Sequence, residues 1–267
     1  MIGDKILIGK FYPSNSYLHR LDARAKVMAT FLYMIALFII NDWLAYALFS
    51  VIFVVFILLA KVPLSMIWQG LKPVLVFVLI TVVLNFFLIS GDVIWSWGVL
   101  HITTQGLSQG FAMGLRLFLL VGFATLLTLT CSPLELTDAI EKLLSPFARI
   151  GLPANEIAMM MSIALRFIPI LFEETNRIML AQKARGATFS QGGVLHRARQ
   201  LLPVIVPLFV AAFRRAEELA EAMEARCYHG GVGRTKWKLA VWKTQDSLYL
   251  CGFLALFALS ILWRVWG

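Results

Sequence analysis

Charge is scarce in this sequence. Only 15% of the 267 residues are Asp, Glu, Lys or Arg, while 60% are hydrophobic, and the mean hydropathy is +0.81. A water-soluble domain of this size needs far more polar surface, so an ordinary globular enzyme is excluded. Bilayer-spanning helices dispose of the surplus by giving apolar side chains to lipid. Cysteine is scarce as well. Cys131, Cys227 and Cys251 lie far apart and have no histidines at ligand spacing, which argues against a disulfide framework and a zinc site. His19, His101, His196 and His229 are scattered, so no metal is expected. No phosphate-binding loop is present: Gly3 and Gly9 are one residue too far apart and Phe11 follows Lys10, so the chain should not bind ATP by that route. His-Glu-x-x-His and Gly-x-Ser-x-Gly are both missing. The first 26 residues hold no clean apolar stretch and do not read as a cleavable signal peptide. Lys/Arg-rich runs with interleaved aromatics are absent too, so neither nucleic acid nor a cofactor is expected.

What the sequence does hold is long apolar blocks. Val27 to Ala60 is nearly all apolar, broken by Asn41-Asp42, and too long for one span across a core of about 30 Å. The polar pair is therefore read as a turn between spans at 24–40 and 43–60. Further spans are expected at 71–90, 111–131 and 248–263, with Lys61–Lys72 as a loop and 91–109 as a Trp-bearing interfacial segment. The fold class is an all-α integral membrane protein, with about five transmembrane helices and three cytoplasmic amphipathic helices. Arg116 is expected to snorkel from near the start of its span.

The net charge is +9, and its placement matters more than its size. Five basic residues precede the first span, alternate loops have none, and fifteen fall between 132 and 247. By the positive-inside rule the N-terminus and residues 132–246 face the cytoplasm, and an odd number of spans leaves the C-terminus outside. Three regions follow: 1–131 with four spans, 132–246 in the cytoplasm, and 247–267 with the last span.

The cytoplasmic region reads as three helices. Ser132-Pro133-Leu134-Glu135 starts the first, to about Ala148, with a stripe of Leu136, Ile140, Leu143, Leu144 and Phe147. Gly151-Leu152-Pro153 breaks the chain. A second helix runs over 154–184 with Pro169 as a kink, and a third over 194–227 with Pro203 and Pro207, ending before Gly230-Gly231. Both long helices begin apolar and finish polar, a form suited to lying under a membrane with the polar ends toward a soluble neighbour. They end alike, in Ala184-Arg185-Gly186 and Ala225-Arg226-Cys227. A lone Arg at a helix end is ordinarily a C-terminal stop that meets the helix dipole. Two such ends suggest paired attachment to a two-subunit partner, each Arg entering a groove.

With Leu21-Asp22-Ala23-Arg24-Ala25-Lys26, Ala164-Leu165-Arg166-Phe167-Ile168-Pro169, Ala181-Gln182-Lys183-Ala184-Arg185-Gly186-Ala187 and Ala225-Arg226-Cys227, the chain resembles the transmembrane T component of energy-coupling factor vitamin transporters. The first of these lacks the proline usual after its Asp, and Cys227 stands where the family often has Gly. The resemblance implies a non-catalytic scaffold in a prokaryotic plasma membrane. It joins two ABC-type ATPases to one small substrate-binding membrane subunit, and Arg185 and Arg226 dock on the ATPases. A membrane-embedded enzyme, or a permease forming its own substrate path, are the alternatives. The spans offer few polar groups to line a path, and the acidic residues sit mostly beside bases in helix-type pairs. Arg166 is read as pairing between helices or snorkelling, Met159-Met160-Met161 as ordinary packing or an adaptable surface, and Asp22, Arg24 and Lys26 as topological charges or a local ionic cluster.

Overall fold

The computed structural model describes residues 11–97, 100–146, 154–187, 193–228 and 242–266. Among these are nine helices: α1 (Tyr17–Arg20), α2 (Ala23–Ile39), α3 (Trp43–Ala60), α4 (Leu64–Leu88), α5 (Thr104–Thr130), α6 (Pro133–Leu144), α7 (Ala154–Ala184), α8 (Val194–Ala225) and α9 (Thr244–Trp266). A short antiparallel hairpin of β1 (Val93–Trp97) and β2 (Leu100–Thr103) joins α4 to α5. The chain is an all-α membrane protein, with that small hairpin the one excursion among the described residues. It divides into two compact units. One holds α1 to α5 with α9, and the described part of the other runs from Ile140 to Tyr228. The chain passes between them within α6. The Gly151-Leu152-Pro153 break, Phe147, Ala148, Gly230-Gly231 and His229 lie outside the described residues, as do the side chains of His101 and His196.

Four helices, α3, α4, α5 and α9, are long and apolar enough to cross a membrane. The expected fifth, α2, has only 17 residues, about 26 Å of helix at 1.5 Å per residue. It packs against α5 and α9. Ala25, Ala29 and Ala36 give it a close-fitting face, and Tyr33 sits between them with no exposed surface. The Tyr33 ring stacks on Phe123 at 4.1 Å and lies 5.0 Å from Phe49. Its hydroxyl donates to the Phe49 carbonyl at 3.0 Å, which removes the penalty of burying an O–H in an apolar core.

Both ends of α2 are fastened. At its start, Asp22 accepts from the Arg24 N–H at 2.9 Å and pairs with the Arg24 guanidinium at 2.8 Å. The Asp22 N–H donates to Asp246 Oδ1 at 2.8 Å, while Lys243 N–H donates to Oδ2 at 2.8 Å. The buried Asp246 carboxylate thus ties the first turn of α9 to the first turn of α2. At the other end, Arg116 Nη2 donates to the Ile40 carbonyl at 2.6 Å and Arg264 Nη1 to the Ile39 carbonyl at 3.2 Å. Two arginines from other helices therefore close the carbonyl end of α2, where the dipole is negative. Trp263 Nε1 donates to Asp42 Oδ2 at 2.7 Å at the same level. Hence α2 and α9 run parallel.

Several boundaries differ from the sequence reading. Residues 64–72 are helical rather than a loop, because Ile67 and Leu71, one turn apart, bury against the core. α5 begins at Thr104, so Arg116 lies 12 residues inside it rather than near its start. It caps α2 instead of snorkelling. On α6, Thr137, Ala139 and Glu141 are buried; of the expected apolar stripe Ile140 is exposed, while Leu136, Leu143 and Leu144 are half-buried.

The pairing of α4 with α5 rests on close approach. A Cβ at Gly106 would meet the Asn85 carbonyl at 2.9 Å and the Phe86 carbonyl at 3.1 Å, and one at Gly110 would meet Phe86 Cε1 at 2.8 Å. Backbone cannot yield as a side chain can. Gly106→Val is expected to push the two helices apart and destabilise by about 1–3 kcal/mol, read as a lowered thermal midpoint in detergent.

Residues 11–20 fold over the end of α5. His19 Nε2 donates to the Tyr12 carbonyl at 2.9 Å, so Ser16 Oγ donates to Nδ1 at 2.7 Å. Burial, and then the Lys26 charge, hold the His19 pKa below its ordinary 6.5. Below pH about 6.5 the unfolded chain takes up this proton more readily than the folded one, so stability falls with falling pH. His19→Gln is expected to flatten that part of the thermal-midpoint profile between pH 7 and 5.

Candidate functional site: two matched helix termini

The residues singled out at the ends of α7 and α8 adopt the same backbone motif. At the end of α7, the Arg185 N–H is shared between the carbonyls of Ala181 and Gln182, at 3.2 and 3.1 Å. Gly186 N–H then donates to Lys183 O and Ala187 N–H to Gln182 O, both at 3.0 Å. At the end of α8, Arg226 N–H donates to Met223 O at 3.1 Å, Cys227 N–H to Glu224 O at 2.9 Å, and Tyr228 N–H to Met223 O at 3.0 Å. These are two Schellman closures, in which the residue after the C-cap turns left-handed and its neighbours' N–H groups satisfy the last carbonyls. Gly186 has φ +90° and Cys227 has φ 56°.

The third position of each tripeptide therefore has a conformational role. Gly is suited to it because it lacks the Cβ that the left-handed region disfavours. Cys227 adopts the same region with its side chain in place, so its departure from Gly leaves the turn intact. The closure also relieves Arg185 and Arg226 of capping. Neither guanidinium meets a carboxylate among the described residues, and both residues are exposed, as are Ala184, Gly186, Ala225 and Cys227. Each tip is a cation on a rigid stem with small neighbours, free to accept a partner's carboxylates or carbonyls.

The stems are held together by an exchange that proline makes possible. Pro207 has no N–H, so the Pro203 carbonyl one turn earlier loses its helical donor. Gln182 Nε2 of α7 supplies one at 3.4 Å. Gln182 is three residues from Arg185, whereas Pro203 is 23 residues from Arg226, about 34 Å of helix. The two tips thus stand well apart along α8. The apolar half of α8 is open, with Leu202, Val206, Phe209 and Phe213 all more than half exposed. Arg166 is exposed on α7, as are Met160 and Met161, whereas Met159 is half-buried. Sequence reasoning missed Gln182, Asp246 and the capping role of Arg116; an acidic residue in the first turn of α9 was the available signal for Asp246. Among the described residues no group of three His, Cys, Asp or Glu could hold a metal ion.

Comparison with known proteins places this arrangement. The model of the family described as CbiQ, cobalt transport protein, matches residues 14–237. The energy-coupling factor transporter transmembrane protein EcfT of Acidaminococcus fermentans is 47% identical, over 98% of this chain and 97% of its own length. The chain belongs to this family. EcfT of Ruminiclostridium cellulolyticum is 50% identical over 93% of this chain and 92% of its own. EcfT of Bacillus subtilis is 44% identical over 98% and 99%. Membership covers both units and both tips, and it fixes the chain as a multi-pass membrane component of a transporter.

If the left-handed turn sets the third position, Cys227→Gly is expected to stabilise the end of α8 by about 1 kcal/mol, and Gly186→Ala to destabilise α7 by a similar amount. Hydrogen exchange of the last-turn amides measures both changes.

Proposed function

We propose that this EcfT-family chain is the non-catalytic scaffold of an energy-coupling factor importer for a vitamin or other micronutrient. It links two cytoplasmic ATPases to a substrate-binding membrane subunit, and ATP binding and hydrolysis take place in those ATPases. The N-terminus and residues 132–246 face the cytoplasm of a bacterial cell, and Arg185 and Arg226 each dock in a groove of one ATPase. Closure of the ATPase pair moves α7 and α8, and that movement reorients the substrate-binding subunit so that its cargo is released inside.

The observation that supports this reading is the pair of matched, separated termini. Each one closes its own carbonyls through a left-handed residue and leaves a single exposed arginine at its tip. One such end is common; two on successive long helices, about 34 Å of helix apart, fit a partner that presents two equivalent grooves. The open apolar stretch of α8 suits a membrane partner better than water, since contiguous apolar faces of this kind mark interaction surfaces. The family description names cobalt and the relatives' names carry no substrate, in keeping with a cargo chosen by another subunit.

The double variant Arg185→Glu/Arg226→Glu tests it. Loss of a buried charged contact costs about 2–5 kcal/mol at an interface. One substitution is expected to weaken co-purification of the ATPases and two to abolish it, with insertion into the membrane unchanged. Full retention of ATPases and of coupled uptake by the inserted double variant would overturn the proposal.

A further inference from the structure

Lys26 lies in the first turn of α2, where a lysine at a membrane edge is ordinarily a surface charge that sets topology. Here it is 2% exposed. Its ammonium points inward and donates to the Thr130 carbonyl, the last of α5, at 3.0 Å. An ammonium taken out of water is costly unless it is paired or set against fixed dipoles. The compensation available at this point is the carbonyl end of α5, where the helix dipole is negative. A lysine needed only for topology would avoid that cost by staying at the surface, so the buried charge serves the place where it is held.

That place is a corner in which three of the last four carbonyls of α5 are taken. Cys131 N–H donates to Leu127 O at 2.9 Å, Tyr12 N–H to Leu129 O at 3.0 Å, and Lys26 takes Thr130 O. Ser132 and Glu135 then cap one another: Ser132 N–H donates to Glu135 Oε2 at 3.1 Å, and Glu135 N–H to Ser132 Oγ at 3.3 Å. Leu129, Thr130 and Cys131 are buried. α6 starts at Pro133, immediately after this corner, and is the segment through which the chain leaves the membrane-helix unit toward α7 and α8.

We propose that Lys26 is a positioning residue for energy coupling: its buried ammonium clamps the α5–α6 corner, so that movement of the helices beyond α6 is passed to the membrane helices rather than taken up by a yielding joint. This rests on the function proposed above and adds the point at which force enters the membrane part. A corner without its clamp leaves the ATPase contacts of Arg185 and Arg226 untouched, because they belong to other residues. What is lost is transmission.

The test is hydrogen–deuterium exchange on the complex purified from native membranes with its ATPases, with and without ATP. It compares wild type, Lys26→Met, and Leu119→Ala, a core substitution at a residue 1% exposed that lowers stability without touching the corner. In wild type the amides from Leu129 to Leu136 are expected to exchange slowly with or without ATP, while α7, α8 and the membrane helices respond to the nucleotide. In Lys26→Met the corner amides are expected to exchange about tenfold faster. The response of α7 and α8 to ATP should persist, and that of α2 to α5 should disappear. Lys26→Arg, which keeps the charge, is expected to restore part of that response, and Leu119→Ala to keep all of it.

Unchanged corner exchange in Lys26→Met, or the same loss in Leu119→Ala, would overturn the proposal. Should Lys26→Met fail to accumulate, the wild-type complex still decides: corner amides that speed up on adding ATP would show a joint that yields. ATPases missing from the wild-type complex would sink the parent reading and this one together. ATPases present with corner exchange that Lys26→Met leaves unchanged would sink this one alone.

Discussion

Every helix ends with carbonyl groups that have no partner within the helix, and in an apolar surrounding each one left bare costs several kcal/mol. How each end of this protein meets that demand governs much of its structure. The ends of α2 and α5 take cations from elsewhere in the chain: Arg116 and Arg264 at α2, Lys26 at α5. The ends of α7 and α8 instead fold back on themselves through a left-handed residue. Basic residues are consumed as caps in the first case and released in the second.

That division matters because the chain is poor in charge. With few ionic groups available, several of those in the membrane unit join helix ends across the fold. Asp246 links the starts of α2 and α9, Arg116 links α5 to the end of α2, and Arg264 links α9 to that same end. Between these ties the core is an aromatic cluster about Tyr33, with Phe49, Phe123 and Phe253 around it. A tightly tied frame is the result. In the other unit the arginines at the tips stay exposed, and the prolines of α8 release a carbonyl that Gln182 turns into a tie between the long helices.

Much of this was legible in the residues. The Asn41-Asp42 turn separates α2 from α3, because a polar pair in an apolar run has nowhere else to go. The extents of α7 and α8 follow from apolar-to-polar patterning and from the breakers beside them. Other features were hidden by their nature. Arg116 looked like a snorkelling residue because a helix boundary blurs where Thr, Gln and Ser are as compatible with helix as with loop. Residues 64–72 looked like a loop because the burial of Ile67 and Leu71 depends on what packs against them. On α6, Thr137 and Glu141 are buried although the apolar pattern marks Leu136, Ile140, Leu143 and Leu144 instead.

By itself the sequence determined that the chain lives in a membrane, where most of its helices lie, and which two arginines end the long ones, since hydrophobic blocks, breakers and caps act over a few residues. Only the tertiary structure decided what the charges do. Lys26 and Arg116 meet their partners across separations of 104 and 76 residues, and whether a cation faces water, lipid or a helix end depends on which end the fold brings to it. The same holds for Cys227. Its identity reads as a substitution, while its left-handed backbone, fixed by its own N–H bond to Glu224 and by the bonds of Arg226 and Tyr228 to Met223, makes it the turn that leaves the Arg226 side chain exposed.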